Sequence, residues 1–301
     1  MPTTKPKTTP TITVAREAGA CYGVNRALDL VEKAASEATG PVRTLGPLIH
    51  NPAVVSELET RGVTVASSPD EFSGGTLVLR THGVTPIEEE RARAAAERVI
   101  DATCPFVIRA HRAAEKLDSE GYQVIVLGEA GHPEVMGTVG HAPEAIVVEG
   151  AADLDGVELR GKVGVVVQTT QSRARLRELV SELIGRAGEV RVVDTICEAT
   201  SERQASASAL ASEVDVMVVI GGRNSANTCR LAEICSGRCG RVHHIEGAAE
   251  LEASWFDGAQ AIGVTAGAST PQRQIDVVCS RVAELSGGML EVPGTSSAEG
   301  K

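Results

Sequence analysis

Two stretches of one plan, RVIDATCPFV (98–107) and RVVDTICEAT (191–200), each bring a short β-branched run to Asp-x-x-Cys. The runs are continuously apolar rather than alternating, the pattern of strands buried on both faces of a parallel sheet. Similar runs recur at TITVA (11–15), TLVLR (76–80), QVIVLG (123–128), AIVV (145–148), KVGVVVQ (162–168), VMVVIGG (216–222) and AIGVTAG (261–267). Between them lie Ala-, Glu- and Arg-rich stretches of helical length, such as PIEEERARAAAERV (86–99) and SRARLRELVSELIGRAG (172–188). Pro86 suits a first helical turn, and Gly185 and Gly188 suit a helix end. Strand and helix in alternation predict an α/β fold.

Three cysteines head equivalent segments. Cys21, Cys104 and Cys197 are followed 29, 28 and 27 residues later by His50, His132 and Asn224, each after an apolar run, a glycine and a polar loop. A second strand and polar loop then follow, carrying His82, Thr169 and Ser269 respectively. The repeat predicts three small, mainly parallel α/β lobes in pseudo-threefold arrangement, with their polar loops pooled in a central cleft beyond the strand ends. The expected divisions are a tail over 1–10, lobes over 11–97, 98–189 and 190–287, and a second tail over 288–301.

Composition narrows the classes of function. With 29 basic and 40 acidic residues the net charge is −11, which argues against general binding of nucleic acid or anionic membrane. A local anion site built from backbone N–H groups stays open. Only 2% of residues are aromatic, so the core must be aliphatic. No run is long and apolar enough to span a bilayer, and MPTTKPKTTP lacks the apolar segment of a secretory signal. A cytoplasmic location is expected, where the seven cysteines serve as thiols or metal ligands rather than disulfides.

One cysteine per lobe, each at a turn entering a helix, suggests a converging metal or cluster site with thiol pKa values lowered by helix N-termini. Structural zinc favours four ligands with short paired spacings, which this set lacks. Iron–sulfur clusters commonly take four thiolates; three would leave one iron of a [4Fe–4S] cube open to substrate. Against this stands the ordinary reading of an isolated cysteine as a small buried side chain, which is assigned to Cys229, Cys235, Cys239 and Cys279. Cys235 and Cys239, with Cys229 or His243, form at best an atypical zinc spacing.

The loops carrying His50, His82, His132, Thr169, Ser225, Asn227 and Ser269 offer neutral or weakly basic donors ahead of helices. They suit phosphate oxygens without an arginine clamp. Neither a P-loop nor a dinucleotide fingerprint occurs. His111, His141, His243 and His244 read as surface or capping residues. Glu134, two residues after His132, fits a proton-delivering acid with a tuned pKa and equally a first-turn helix glutamate after Pro133. Asp101 and Asp194 read as caps or loop braces.

The segments CYGVNRA, IHNPAVV, RTHGV, DATCP, GHPEV, QTT, DTIC, NSANT and TAGAS, in this order from about residue 12 to 285, resemble the LytB/IspH family, the 4-hydroxy-3-methylbut-2-enyl diphosphate reductases. The resemblance implies one [4Fe–4S] cluster per chain held by Cys21, Cys104 and Cys197. It assigns His50, His82, His132, Ser225, Asn227 and Ser269 to the diphosphate, Thr169 to the substrate hydroxyl or a water, and Glu134 to the proton route. It implies reductive loss of an allylic hydroxyl to give isopentenyl and dimethylallyl diphosphates, the last step of the methylerythritol phosphate route to isoprenoids. Electrons would come singly from a ferredoxin or flavodoxin. Ala226, Tyr22 and Thr81 depart from the family pattern and leave room for a divergent paralogue. The alternatives are a dehydratase with a three-cysteine cluster, as in quinolinate synthases, and a non-catalytic iron–sulfur sensor.

Overall fold

A computed structural model of the chain describes residues 9–291. Its strands are β1 (Thr11–Val14), β2 (Val42–Leu45), β3 (Val63–Ala66), β4 (Thr76–Leu79), β5 (Arg98–Asp101), β6 (Gln123–Leu127), β7 (Ile146–Val148), β8 (Lys162–Val167), β9 (Glu189–Val193), β10 (Val216–Ile220), β11 (Val242–Ile245), β12 (Ala261–Ala266) and β13 (Met289–Leu290). The α-helices are α1 (Tyr22–Glu37), α2 (Pro52–Thr60), α3 (Pro86–Ala95), α4 (Pro105–Ser119), α5 (Pro133–Gly140), α6 (Arg173–Ile184), α7 (Glu198–Ala211), α8 (Ala226–Ser236) and α9 (Gln272–Ser286).

These elements form three α/β lobes whose strand pairs are all parallel. The sheet orders are β3-β2-β4-β5, β7-β6-β8-β9 and β11-β10-β12-β1-β13. The chain divides into two compact units, one of residues 21–201 with the first two sheets, the other of the flanking segments with the third.

The three sheets share one order, and that order revises the expected divisions at their edges. β5, expected to open the second lobe, pairs with β4; β9, expected to open the third, pairs with β8; β1 pairs with β12. A strand that begins a sequence repeat therefore completes the previous sheet, because its hydrogen-bonding edge is satisfied there. Of the expected tails, 1–8 and 292–301 lie outside the described residues, while β13, inside the second, pairs with β1.

Helices cover both faces of the sheets, which is why the strand runs are continuously apolar. In the second sheet, Leu176, Leu179 and Leu183 of α6 pack with Ile125, Leu127, Val163 and Val165. Ala110, Ala114 and Leu117 of α4 cover the opposite face with Val124, Val126 and Val166. Gly164 admits α4 there, since a Cβ would stand 2.9 Å from both Leu117 methyls. Pro86 opens α3 as its sequence predicts, behind a capping box from Thr85 to Glu88, and Gly185 caps α6.

The leading strand and the following helix of the second and third repeats thus serve different sheets. β5 belongs to the first sheet, whereas α4, entered through Cys104, packs on the second. β9 belongs to the second, whereas Ala207, Leu210 and Ala211 of α7, entered through Cys197, pack with Met217 and Val219 of the third. Truncating the fully buried Leu179 to alanine should destabilise the protein by about 3 kcal/mol, as deletion of buried methyl groups does, measured by denaturant unfolding.

Candidate active site

The Asp-x-x-Cys motif is a turn with its own internal bond. Asp101 Oδ1 accepts from the Thr103 N–H at 2.8 Å and Asp194 Oδ1 from the Ile196 N–H at 3.1 Å. Both aspartates are therefore loop braces, as expected. The cysteine amides that follow donate in equivalent ways, Cys104 to the Thr81 carbonyl (3.0 Å) and Cys197 to the Thr169 carbonyl (3.1 Å).

Cys21 and Cys104 occupy the N-cap positions of α1 and α4, and neither thiol is spent on a capping bond. Cys197 immediately precedes α7, and its carbonyl accepts from Ser201 as the helix begins. Helix N-termini favour anionic sulfur. Burial nevertheless pushes the Cys104 thiol up to about 11; N–H groups of Phe106 and Val107 oppose the shift, and charge on Cys21 and Cys197 reinforces it. Deprotonation here calls for a bound cation, which is how thiolate metal centres form.

The space between the sulfurs is kept by a glycine. A Cβ on Gly23 would lie 2.6 Å from Cys104 Sγ and 3.9 Å from Cys21 Sγ. Among the described residues, only His50, His82 and His132 form a set of three or more whose metal-ligand atoms all lie within 4.8 Å of one another, so at least one pair of the three cysteine sulfurs stands wider apart than that. A single tetrahedral zinc with Zn–S near 2.3 Å would draw them to about 3.8 Å. The wider set fits a multi-iron cluster, and the atypical zinc set around Cys235 and Cys239 does not form. Cys235, Cys239 and Cys279 are buried, as expected of core thiols.

The histidines form one group. The His50 and His82 rings lie 4.1 Å apart between centroids, and His132 stands 5.2 Å and 5.5 Å from them. Thr81 pins two of the loops together, because its hydroxyl donates to the Leu48 carbonyl at 2.8 Å. Its departure from the family pattern thus has a bracing role. Burial lowers the pKa of His50 and His132 to about 4 and that of His82 well below the ordinary value. All three are neutral near pH 7. His132 Nδ1 accepts from the Glu134 N–H at 3.1 Å, which leaves the proton of the neutral ring on Nε2.

The expectation of a site without arginine needs correction. The Arg80 guanidinium depresses the pKa of His50, His82 and His132. Its place depends on Gly46, at φ +71°, where a Cβ would meet Arg80 Nη1 at 2.3 Å. A fixed cation next to three neutral imidazoles favours an anion over a second cation, although the imidazole spacing alone suits either. Arg80 stands in RTHGV next to the signal His82; proximity in sequence was the one available clue.

Glu134 combines a first-turn helix position with a buried carboxyl. It lies in the first turn of α5, and its side chain is only 2% exposed. The carboxylate accepts from the Thr169 N–H at 2.6 Å and from the Thr169 hydroxyl at 2.9 Å. Burial raises its pKa to about 7 despite those bonds. A bonded path therefore runs from Cys197 through Thr169 and Glu134 to His132.

In the other unit, Ser225 caps α8 and Ser269 is buried. Asn227 is buried with neither amide atom bonded, an arrangement that awaits a polar ligand. Ala226 is the first residue of α8, and Tyr22 opens α1 at 67% exposure. Of the histidines set aside, His111 is buried and stacked on His141, which revises its surface reading; His243 stacks on Trp255 and His244 reaches the Gly221 carbonyl.

Parallel α/β lobes with thiols at the strand–helix junctions and a polar, anion-favouring histidine pocket define the class. The chain belongs to the LytB family, whose profile, described as LytB protein, matches residues 12–283. A 4-hydroxy-3-methylbut-2-enyl diphosphate reductase of Geobacter sulfurreducens is 50% identical over 91% of this chain and 97% of its own length. The enzyme of that name from Aquifex aeolicus is 44% identical over 93% and 98%. A solved structure of (E)-4-hydroxy-3-methyl-but-2-enyl diphosphate reductase, the terminal enzyme of the non-mevalonate pathway, is 45% identical with a TM-score of 0.67, covering 91% of this chain and 99% of that one. The Plasmodium falciparum E-1-hydroxy-2-methyl-but-2-enyl-4-diphosphate reductase is 25% identical with a TM-score of 0.88, covering 94% and 91%.

Two outcomes follow from this geometry. Gly23→Ala should push the Cys104 sulfur aside and lower the iron bound after anaerobic reconstitution by more than half, with the helices retained by circular dichroism. Arg80→Gln should move the His50 and His132 pKa values upward from about 4, read by NMR titration of the imidazoles.

Proposed function

We propose that this chain is an iron–sulfur reductase that removes the allylic hydroxyl of 4-hydroxy-3-methylbut-2-enyl diphosphate as water, consuming two electrons and two protons, to give isopentenyl and dimethylallyl diphosphates. The observation that carries the reading is the buried Glu134–Thr169 pair, bonded on one side to a cysteine junction and on the other to the histidine group. Family membership supports the substrate.

Cys21, Cys104 and Cys197 would hold one [4Fe–4S] cluster, whose iron without a cysteine ligand supplies single electrons and a Lewis acid. Neutral His50, His82 and His132, with Arg80, donate to phosphate oxygens; binding the anion raises the histidine pKa values and strengthens those bonds. Ser225, Asn227 and Ser269 serve as further polar donors to the diphosphate. Burial raises the Glu134 pKa to about 7, so a substantial share of its carboxyl holds a proton near neutral pH. Thr169, its hydroxyl donating to Glu134, positions the substrate hydroxyl that the proton must reach. Single electrons would be delivered by a ferredoxin or flavodoxin, and the location would be cytoplasmic, where thiols stay reduced. No helix among the described residues is long and apolar enough to cross a membrane.

Anaerobic turnover with a low-potential dye tests the reading. The wild-type rate should decline as pH rises through about 7, because the acid form of Glu134 is lost. Glu134→Gln should reduce kcat at least 100-fold with the cluster retained, the range of general acid catalysis. Wild-type turnover in that variant would reject proton delivery by Glu134, and a cluster-loaded protein that never reduces the diphosphate would favour the sensor reading.

A further inference from the structure

Each cysteine-led helix carries an arginine shortly after its cysteine: Arg26 and Arg109 stand five positions after Cys21 and Cys104, and Arg203 six after Cys197. All three guanidinium groups donate to backbone carbonyls just ahead of a different cysteine. Arg26 of α1 reaches the Thr103 carbonyl (3.2 Å) and the Asp101 carbonyl (3.4 Å), in the turn before Cys104. Arg109 of α4 reaches the Asp194 carbonyl (3.2 Å) and the Ile196 carbonyl (3.5 Å), in the turn before Cys197. Arg203 of α7, itself buried, reaches the Gly19 carbonyl at 2.8 Å, ahead of Cys21.

We infer that Arg26, Arg109 and Arg203 are positioning residues that lock each cysteine arm to the helix led by another cysteine, so that the three sulfurs are held in mutual register. The inference rests on the cluster reading above for its purpose, and on the hydrogen bonds alone for its geometry. Within each Asp-x-x-Cys turn the aspartate takes an N–H from inside, and the arginine takes the carbonyls left over. Arg26 meets its two carbonyls through both arms of its planar fork, a geometry that a lysine ammonium on a flexible stem does not reproduce, whereas Arg109 meets both of its carbonyls through Nη2. The arm before Cys21 has no aspartate; its Gly19, at φ +101°, presents one carbonyl, and one guanidinium nitrogen takes it. The same brace thus recurs on turns of different sequence. Arginine also keeps a positive charge near a centre whose thiolates are negative, favouring the more reduced state.

The test uses Arg26→Gln, Arg109→Gln and the matching lysine variants in the full chain. Hydrogen exchange on cluster-free protein should be faster over 101–104 in both Arg26 variants and over 194–197 in both Arg109 variants. In reconstituted protein, release of iron to a chelator should be about tenfold faster in all four, the scale of losing a hydrogen bond to a charged group. The midpoint potential should move to more negative values with glutamine and stay near wild type with lysine. Unchanged exchange and unchanged iron release in the glutamine variants would overturn the inference. So would faster iron release that follows a general fall in melting temperature with exchange of the arms unaltered. If wild-type protein takes up no cluster, the cluster reading fails, and exchange of the arms still decides the brace.

Discussion

The site depends on one constraint, that each cysteine sits where a strand of one sheet hands over to a helix. For Cys104 both anchors lie in the same compact unit: β5 is fixed by pairing with β4, and α4 is fixed by Leu117 lying against Gly164. The thiol between them is placed by two independent pieces of core. Its position then costs little extra ordering, since the backbone on both sides is already immobilised. The aspartate turn adds the local geometry, and the amide bonds from Cys104 to Thr81 and from Cys197 to Thr169 tie the cysteines to the loops that follow β4 and β8.

That same tie gathers the titratable groups. Thr81 neighbours His82, and Thr169 holds Glu134, so the loops that fix the cysteines also present the polar groups. Burial acts on these groups in opposite directions by sign of charge. It keeps the imidazoles neutral and a substantial share of the carboxyl protonated near pH 7, because each charged form is the one disfavoured. The histidine group therefore offers uncharged donors beside a carboxyl that titrates near neutral pH, while Arg80 supplies the fixed positive field.

Much of this was legible in the sequence, for physical reasons. Strands covered on both faces write themselves as continuous β-branched runs, and a threefold repeat of Cys, apolar run and polar loop singles out Cys21, Cys104 and Cys197 from seven cysteines. The pairing of β1, β5 and β9 was not legible, because a parallel strand shows no sign of which sheet edge it will satisfy. Arg80 was missed because its value comes from the space that Gly46 leaves, a contact between distant loops. Glu134 stayed ambiguous because a first-turn glutamate looks the same whether it points to solvent or, as here, into the core toward Thr169. The short strands β3 and β11 were also passed over, being four residues each and, in VHHI, polar at the centre.

The central claim is that the three junction cysteines, and no others, hold one cluster. Iron and sulfide analysis after anaerobic reconstitution of single Cys→Ala variants tests it most directly. About four irons per chain, the content of one [4Fe–4S] cluster, should bind to wild type and to the Cys229, Cys235, Cys239 and Cys279 variants. Substitution of Cys21, Cys104 or Cys197 should lower that content sharply. Full iron and sulfide in a protein lacking all three junction thiols would contradict the account.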